Sequence, residues 1–188
     1  MTTTEPSSTV TLVEQAWGEE PGAALIVALL ADLDVRYDLV DRPDDPPPEA
    51  QHVPGARPAP RAAAPSDPAW EVHAADVARP RGAFVVAHLD GRAAGCGAVR
   101  PLPGGDPGIA EVKRMFTAPE ARGRGVARAL LRHLVAVAAE LGYRQVVLET
   151  GTRQPEAMAL YEAEGWVPLA PYGQYCGEHL SRCFVLDL

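Results

Sequence analysis

The spacing of apolar and polar positions changes period several times along the chain. Residues 10–15 read as a strand. Residues 21–37 read as a helix, with Leu25, Val27, Leu29, Leu30 and Leu33 recurring at helical intervals. Residues 83–89 (AFVVAHL) form a strand, and Asp90-Gly91 is a two-residue hairpin signal that returns the chain into a partner strand over 92–102. A turn-rich connector, 103–108, leads to a third strand over 109–117. Residues 119–141 take up helical periodicity: Ala127, Leu130, Leu131, Leu134, Ala138 and Leu141 share one face, while Arg124, Arg128 and Arg132 fall largely on the other. Gly142 is the stop. Residues 145–150 (QVVLET) are a short apolar strand of the kind buried on both faces. A helix over 155–164 ends at Gly165, and 166–169 and 183–187 are the closing strands.

The order β-α-(α)-β-β-β-α-β-α-β-β puts a meander before a β-α-β unit. It predicts an α/β fold with a mixed sheet and helices on both faces. The bracketed helix is a short one over 68–77. It follows a stretch, 41–70, that carries nine of the nineteen prolines. Proline at that density supplies no ladder donors and breaks helices, so 41–70 reads as a long loop or mobile insertion, or as a cover over a pocket. Residues 1–9 read as a disordered tail, and 10–188 as one domain.

Composition removes several functions. Seventeen basic residues against twenty-five acidic ones leave a net charge of −8, which argues against a nucleic-acid or anionic-membrane binder. Only one basic residue, Lys113, is a lysine, which reads as a habit of codon composition. The longest apolar run is too short to span a bilayer, and residues 1–9 are not expected to be a signal peptide. Three cysteines make no disulfide framework, so a cytoplasmic location is expected. Cys176, His179 and Cys183 lack a usual zinc spacing, and no metal is expected.

The chemistry concentrates in Arg122-Gly123-Arg124-Gly125-Val126-Ala127, between a strand and a long helix. Two glycines let the backbone turn tightly and point successive N–H groups into one concavity. The helix begun there adds unsatisfied amides and the positive end of its dipole, a site for a phosphate or pyrophosphate. A Walker loop is excluded, because no Gly-Lys-Ser/Thr follows. A dinucleotide fingerprint fits poorly: Arg128 stands where a third small residue belongs, and Ala118 to Ala121 separate the loop from its strand.

The run from Glu111 to Leu131 resembles the acetyl-coenzyme A motif of the GNAT acetyltransferase superfamily, Gln/Arg-x-x-Gly-x-Gly/Ala, with Arg122, Gly125 and Ala127 at its defined positions. A second signature of that family, Asn-x-x-Ala-x-x-x-Tyr followed by Gly-Phe, is matched by Ala157, Tyr161 and Gly165, with Trp166 for Phe and Gln154 for Asn. The resemblance implies a GNAT-type fold with a splayed central sheet, acetyl-CoA as acetyl donor, and transfer to a primary amine of a small molecule. A peptide or protein amine is the alternative, and a non-catalytic acyl-CoA sensor is an alternative of another class. The backbone at Met115 would hold the thioester oxygen, and Met115, Phe116 and Thr117 would pair with the pantetheine arm. Residues Arg122 to Ala127, with Gln154, complete the cofactor set. Tyr161 would protonate the departing thiolate. Glu111 is the candidate base, or else a carboxylate paired with Arg114 or another arginine, with Glu149 in reserve. Glu149, Tyr172 and Tyr175 are candidate acceptor contacts, and Tyr172 and Tyr175 read equally as turn residues. The family is often dimeric, so a homodimer is considered.

Overall fold

The computed structural model describes residues 9–37, 42–47 and 53–188. Seven strands, β1 (Val10–Glu14), β2 (Ala83–Leu89), β3 (Arg92–Pro101), β4 (Ile109–Thr117), β5 (Gln145–Gly151), β6 (Val167–Leu169) and β7 (Ser181–Asp187), form one sheet in the order β1-β2-β3-β4-β5-β7-β6. Every neighbouring pair is antiparallel except β4 and β5, which are joined through helix α2 (Val126–Glu140). Helix α1 (Gly22–Arg36) covers the opposite face, and α3 (Pro155–Ala163) links β5 to β6. The mixed sheet with helices on both faces is the architecture the periodicity predicts.

Alternation along the strands sorts the core onto two sides. Val85, Ala87, Ala110, Val112, Val146 and Leu148 meet Leu130, Leu131 and Leu134 of α2. Phe84, Val86, Cys96 and Ala98 meet Leu25 and Leu29 of α1. Beyond the reach of α1, the same side of the sheet is closed by Trp70, Leu102, Val147, Leu169, Tyr172, Tyr175, Cys183 and Val185. Removing such apolar surface from water is the main force that holds sheet and helices together.

Two features open the sheet near its middle. The parallel pairing of β4 and β5 runs only from Ile109↔Gln145 to Val112↔Leu148, so residues 113–117 of β4 have no partner on that edge. In addition, the β3–β4 register slips between Cys96 and Ala98, where Arg114 adopts a left-handed φ of 58°. This bulge reverses the alternation, as an extra residue must. Glu111 before it and Phe116 after it face the α1 side, whereas Val112 before it and Met115 after it face α2.

Several expectations require correction. The helix expected over 68–77 reduces to a three-residue 3-10 turn, Pro68–Trp70, capped by Asp67 on the amide of Ala69, which gives way to extended backbone at Glu71. The 119–141 helix is two pieces, a 3-10 turn over Pro119–Ala121 and α2 proper, because Gly123 and Gly125 take φ values of 75° and 81° between them. Strand β7 begins at Ser181, two residues early. Thr9 of the expected tail is hydrogen-bonded to Asp90 through both its amide and its carbonyl; residues 1–8 lie outside the described residues. Residues 53–70 of the proline-rich stretch have a seat, with Arg57 bridging to Leu169 beside β6 and Trp70 buried in the third core group. Residues 41 and 48–52 lie outside the described set.

Candidate active site

The splay between β4 and β5 opens into a cavity of about 810 Å³ that passes through the sheet. Leu29, Asp32, Leu33, Arg36 and Tyr37 of the α1 region wall one side. Residues 125–128 at the start of α2 and Ala157, Leu160 and Tyr161 of α3 wall the other. Residues 112–117 and 149–151 form the lips.

The Gly123–Gly125 loop presents amides to this cavity. The amides of Arg122 and Arg124 are spent internally on Pro119 and Ala121, at 3.3 and 3.4 Å. Those of Gly123, Gly125, Val126 and Ala127 donate to no carbonyl among the described residues. Helix α2 has no side-chain cap. Uncapped first-turn amides with the helix dipole behind them suit an anion, and here they border the cavity. Gly125 is left-handed with open space where a Cβ would stand, so its requirement is conformational and leaves room for a ligand. Arg122 is drawn to Asp32 at 3.0 Å and to the carbonyl of Thr117 at 3.2 Å, which ties the loop to α1. Arg124 does not line the cavity; its guanidinium reaches Asp90 at 2.8 Å. Arg128 does line it while paired with Glu164.

On β4, Met115, Phe116 and Thr117 all reach the cavity, beside the strand edge that β5 leaves unpaired. An unpaired edge accepts another extended chain through its free backbone groups. Gln154, before α3, also lines the cavity, where its side-chain oxygen accepts from the hydroxyl of Thr150 at 3.1 Å. Tyr161 is buried between Trp166 and Phe184, ring centroids 6.0 and 5.8 Å away. Its hydroxyl makes no hydrogen bond among the described residues. Burial, with the Glu149 charge second, holds its proton more tightly than in water.

The two candidate carboxylates separate sharply. Glu111 is fully buried and does not line the cavity. Its Oε2 accepts two bonds from Arg100, at 3.0 and 2.9 Å, and its Oε1 accepts from the phenols of Tyr172 and Tyr175 at 3.1 and 3.3 Å. The remaining donors of Arg100 go to the carbonyls of Ala69, Trp70 and Glu71. The ion partner is therefore Arg100, not Arg114. Tyr172 and Tyr175, expected at the acceptor, stand in this network beneath Trp70 and do not line the cavity. Glu149 does line it, held by the Ser181 hydroxyl at 2.7 Å. Burial raises its carboxyl above the usual range, against the lowering pull of Ser181 and Lys113.

Lys113, Tyr37 and Ser181 are among the wall residues that sequence reasoning missed. Lys113 was visible as the only lysine but carried no chemical reading. Tyr37 follows α1 and lies so close to Gly151 that a Cβ there would collide with its hydroxyl. That contact gives Gly151 a steric reason invisible in the strand pattern. Ser181 had no local signal, because it meets Glu149 only through β5–β7 pairing. No group of metal-ligating side chains occurs among the described residues, and none of their helices is long and apolar enough to cross a membrane.

A family model, the acetyltransferase (GNAT) family, matches residues 50–166. An IAA acetyltransferase of Azospirillum brasilense is 38% identical over 117 residues, 61% of this chain and 75% of that protein. An uncharacterized N-acetyltransferase, YjgM, of Escherichia coli is 33% identical over 103 residues, 55% of this chain and 61% of its own length. Among solved structures, an acetyltransferase of the GNAT family from Staphylococcus aureus superposes with a TM-score of 0.61 at 14% identity, over 96% of this chain and 99% of the other. The IAA acetyltransferase from Bacillus cereus gives 0.59 at 17%, over 96% and 100%. At such identities the structures speak for the fold alone.

Proposed function

Since the chain belongs to the acetyltransferase (GNAT) family, we propose that it binds acetyl-CoA in the cavity between β4 and β5 and transfers the acetyl group to a primary amine of a small molecule. The observation that carries this reading is the adjacency of two unspent hydrogen-bonding surfaces. One is the edge of β4 over 113–117, which β5 does not pair and of which the Thr117 carbonyl is taken by Arg122; the other is the set of open amides at Gly123, Gly125, Val126 and Ala127. A diphosphate suits the second, and an amide-bearing arm suits the first. The cavity volume of about 810 Å³ lies in the range of small-molecule sites, about 300–1,000 Å³, as a bound coenzyme requires.

In this reading each residue has a chemical task. An amine arrives mostly protonated and must lose a proton before it attacks. Glu149 takes that proton, because its carboxyl lies in the cavity wall and burial has raised its affinity for protons. The backbone N–H groups beside the bulge at Arg114 and Met115 face the carbonyl oxygen as charge develops on it. Tyr161, kept protonated by burial, gives its proton to the departing thiolate. Glu111 stiffens β4 behind the site through Arg100 and the two tyrosines.

Thiol release from acetyl-CoA, followed over a panel of small amines and peptides, tests the proposal. Turnover with a small amine supports it, and turnover with peptides alone moves the acceptor to a protein. Coenzyme binding without turnover on any amine makes the chain a sensor.

A further inference from the structure

Lys113 has no task in that reaction, yet it is the chain's only lysine and stands in the cavity wall. It leaves β4 two residues before Met115, on the stretch that no β5 residue pairs. Its side chain is 15% exposed. Its Nζ donates to the hydroxyl of Tyr175, which donates in turn to Oε1 of Glu111 at 3.3 Å, and Nζ stands 4.0 Å from that same oxygen and 5.2 Å from the Tyr175 ring centroid.

The charge balance around this amine differs from that of an ordinary buried ion pair. Glu111 is already matched by Arg100, with two N–H donors on one oxygen and two phenols on the other. Lys113 is therefore a second cation beside Glu111, and the other carboxylate acting on it is Glu149, which the Ser181 hydroxyl holds. Burial pushes its ammonium toward the neutral amine, and the positive charges of Arg100 and Arg114 act in the same direction, opposed by Glu111 and Glu149. A neutral amine is the form that attacks acyl carbon, and a buried lysine is the side chain most readily tuned to that form.

We propose that Lys113 is itself an acetyl acceptor, so that the chain modifies its own cavity wall when acetyl-CoA is bound and no amine substrate competes. The inference rests on the coenzyme reading above. The lone pair of Nζ attacks the thioester carbonyl carbon and a C–N bond forms. The C–S bond breaks, and the sulfur leaves with its electron pair. Nζ loses one proton to Glu149, the thiolate takes one from Tyr161, and the two residues restore their protonation through solvent. The products are one secondary amide and one free thiol. The amide neither ionises nor readily gives up its acyl group, so the product is a stable modification and not a carrier on the way to the acceptor. It also removes the ionisable amine from over the Tyr175 ring and adds bulk to the cavity.

The test uses the full chain, incubated with isotopically labelled acetyl-CoA in buffer free of primary amines, followed by peptide mass mapping. The chain's amino terminus is the one competing amine, and the peptide map separates it from Lys113. The expected result is one acetyl group per chain on the Lys113 peptide, suppressed when excess unlabelled CoA is present from the start and absent from Lys113→Arg. Acetyl found only at the amino terminus would overturn the inference. So would Lys113 labelling that persists at full extent in excess CoA or in urea-unfolded protein. Calorimetry with CoA on the same preparation separates two failures: binding with an unmodified Lys113 sinks this inference alone, and no binding sinks it together with the coenzyme reading.

Discussion

Arg100 of β3 and Glu111 of β4 face each other as a register pair with no exposure to solvent, and two guanidinium N–H groups close on a single carboxylate oxygen. Breaking one side leaves a buried charge without a partner, which costs about 3–5 kcal/mol. Arg100→Leu is accordingly expected to lose about that much in urea unfolding. A loss under about 1 kcal/mol, the scale of exposed pairs, would mean that water reaches the carboxylate.

The two acidic residues near the site are distinguished by activity. Glu111→Gln acts only through the stiffness of β4, whereas Glu149→Gln removes the proton acceptor from the cavity wall. We expect Glu149→Gln to lower kcat/KM by about 10²-fold or more, the usual scale for a lost general base, and Glu111→Gln to lower it far less in whatever fraction remains folded. The reverse order would restore Glu111 as the base.

The pH dependence of Glu149 has opposite signs for activity and for stability. Burial raises its carboxyl above the unfolded value, so the stability it contributes is complete below the ordinary carboxylate range and is lost as pH rises through the raised value. Activity needs the ionised form and grows over that same interval. Wild type should show an ascending limb of kcat/KM displaced above the ordinary carboxylate range. Glu149→Gln should flatten that limb and be at least as stable as wild type at pH 8, as thermal unfolding at two pH values would register.

Tyr161→Phe keeps the ring between Trp166 and Phe184 and removes only the proton donor. Turnover is expected to fall by about 10²-fold, with CoA affinity within about twofold of wild type, well under the 1.4 kcal/mol that marks a tenfold change. Unchanged turnover would take the phenol out of the chemistry.

Much of the framework was legible in the periodicity. The Asp90-Gly91 hairpin has both φ values positive, at 52° and 81°, as its turn chemistry demands. The long helix shows its apolar face in Leu130, Leu131 and Leu134. What stayed hidden depends on contacts between distant segments. Glu111 sits between apolar neighbours in a strand, which is equally the setting of a catalytic carboxylate and of one neutralised by an arginine eleven residues earlier on the next strand. Only the β3–β4 register decides between them. Tyr172 and Tyr175 look like aromatic turn residues until Trp70, a hundred positions upstream, closes over them at 6.2 and 5.9 Å. The bulge at Arg114 has no local signal either, because arginine is not a residue that favours a left-handed φ.

Binding of CoA tests the account most directly, by calorimetric titration into wild type and into Gly125→Val. Forcing a β-branched residue to a φ of 81° costs about 1–2 kcal/mol in the loop and tilts the amides that would hold the diphosphate. The account predicts one CoA per wild-type chain and affinity at least about tenfold weaker in the variant, a loss of about 1.4 kcal/mol. No heat with wild type, or equal affinity in a folded variant, would contradict it.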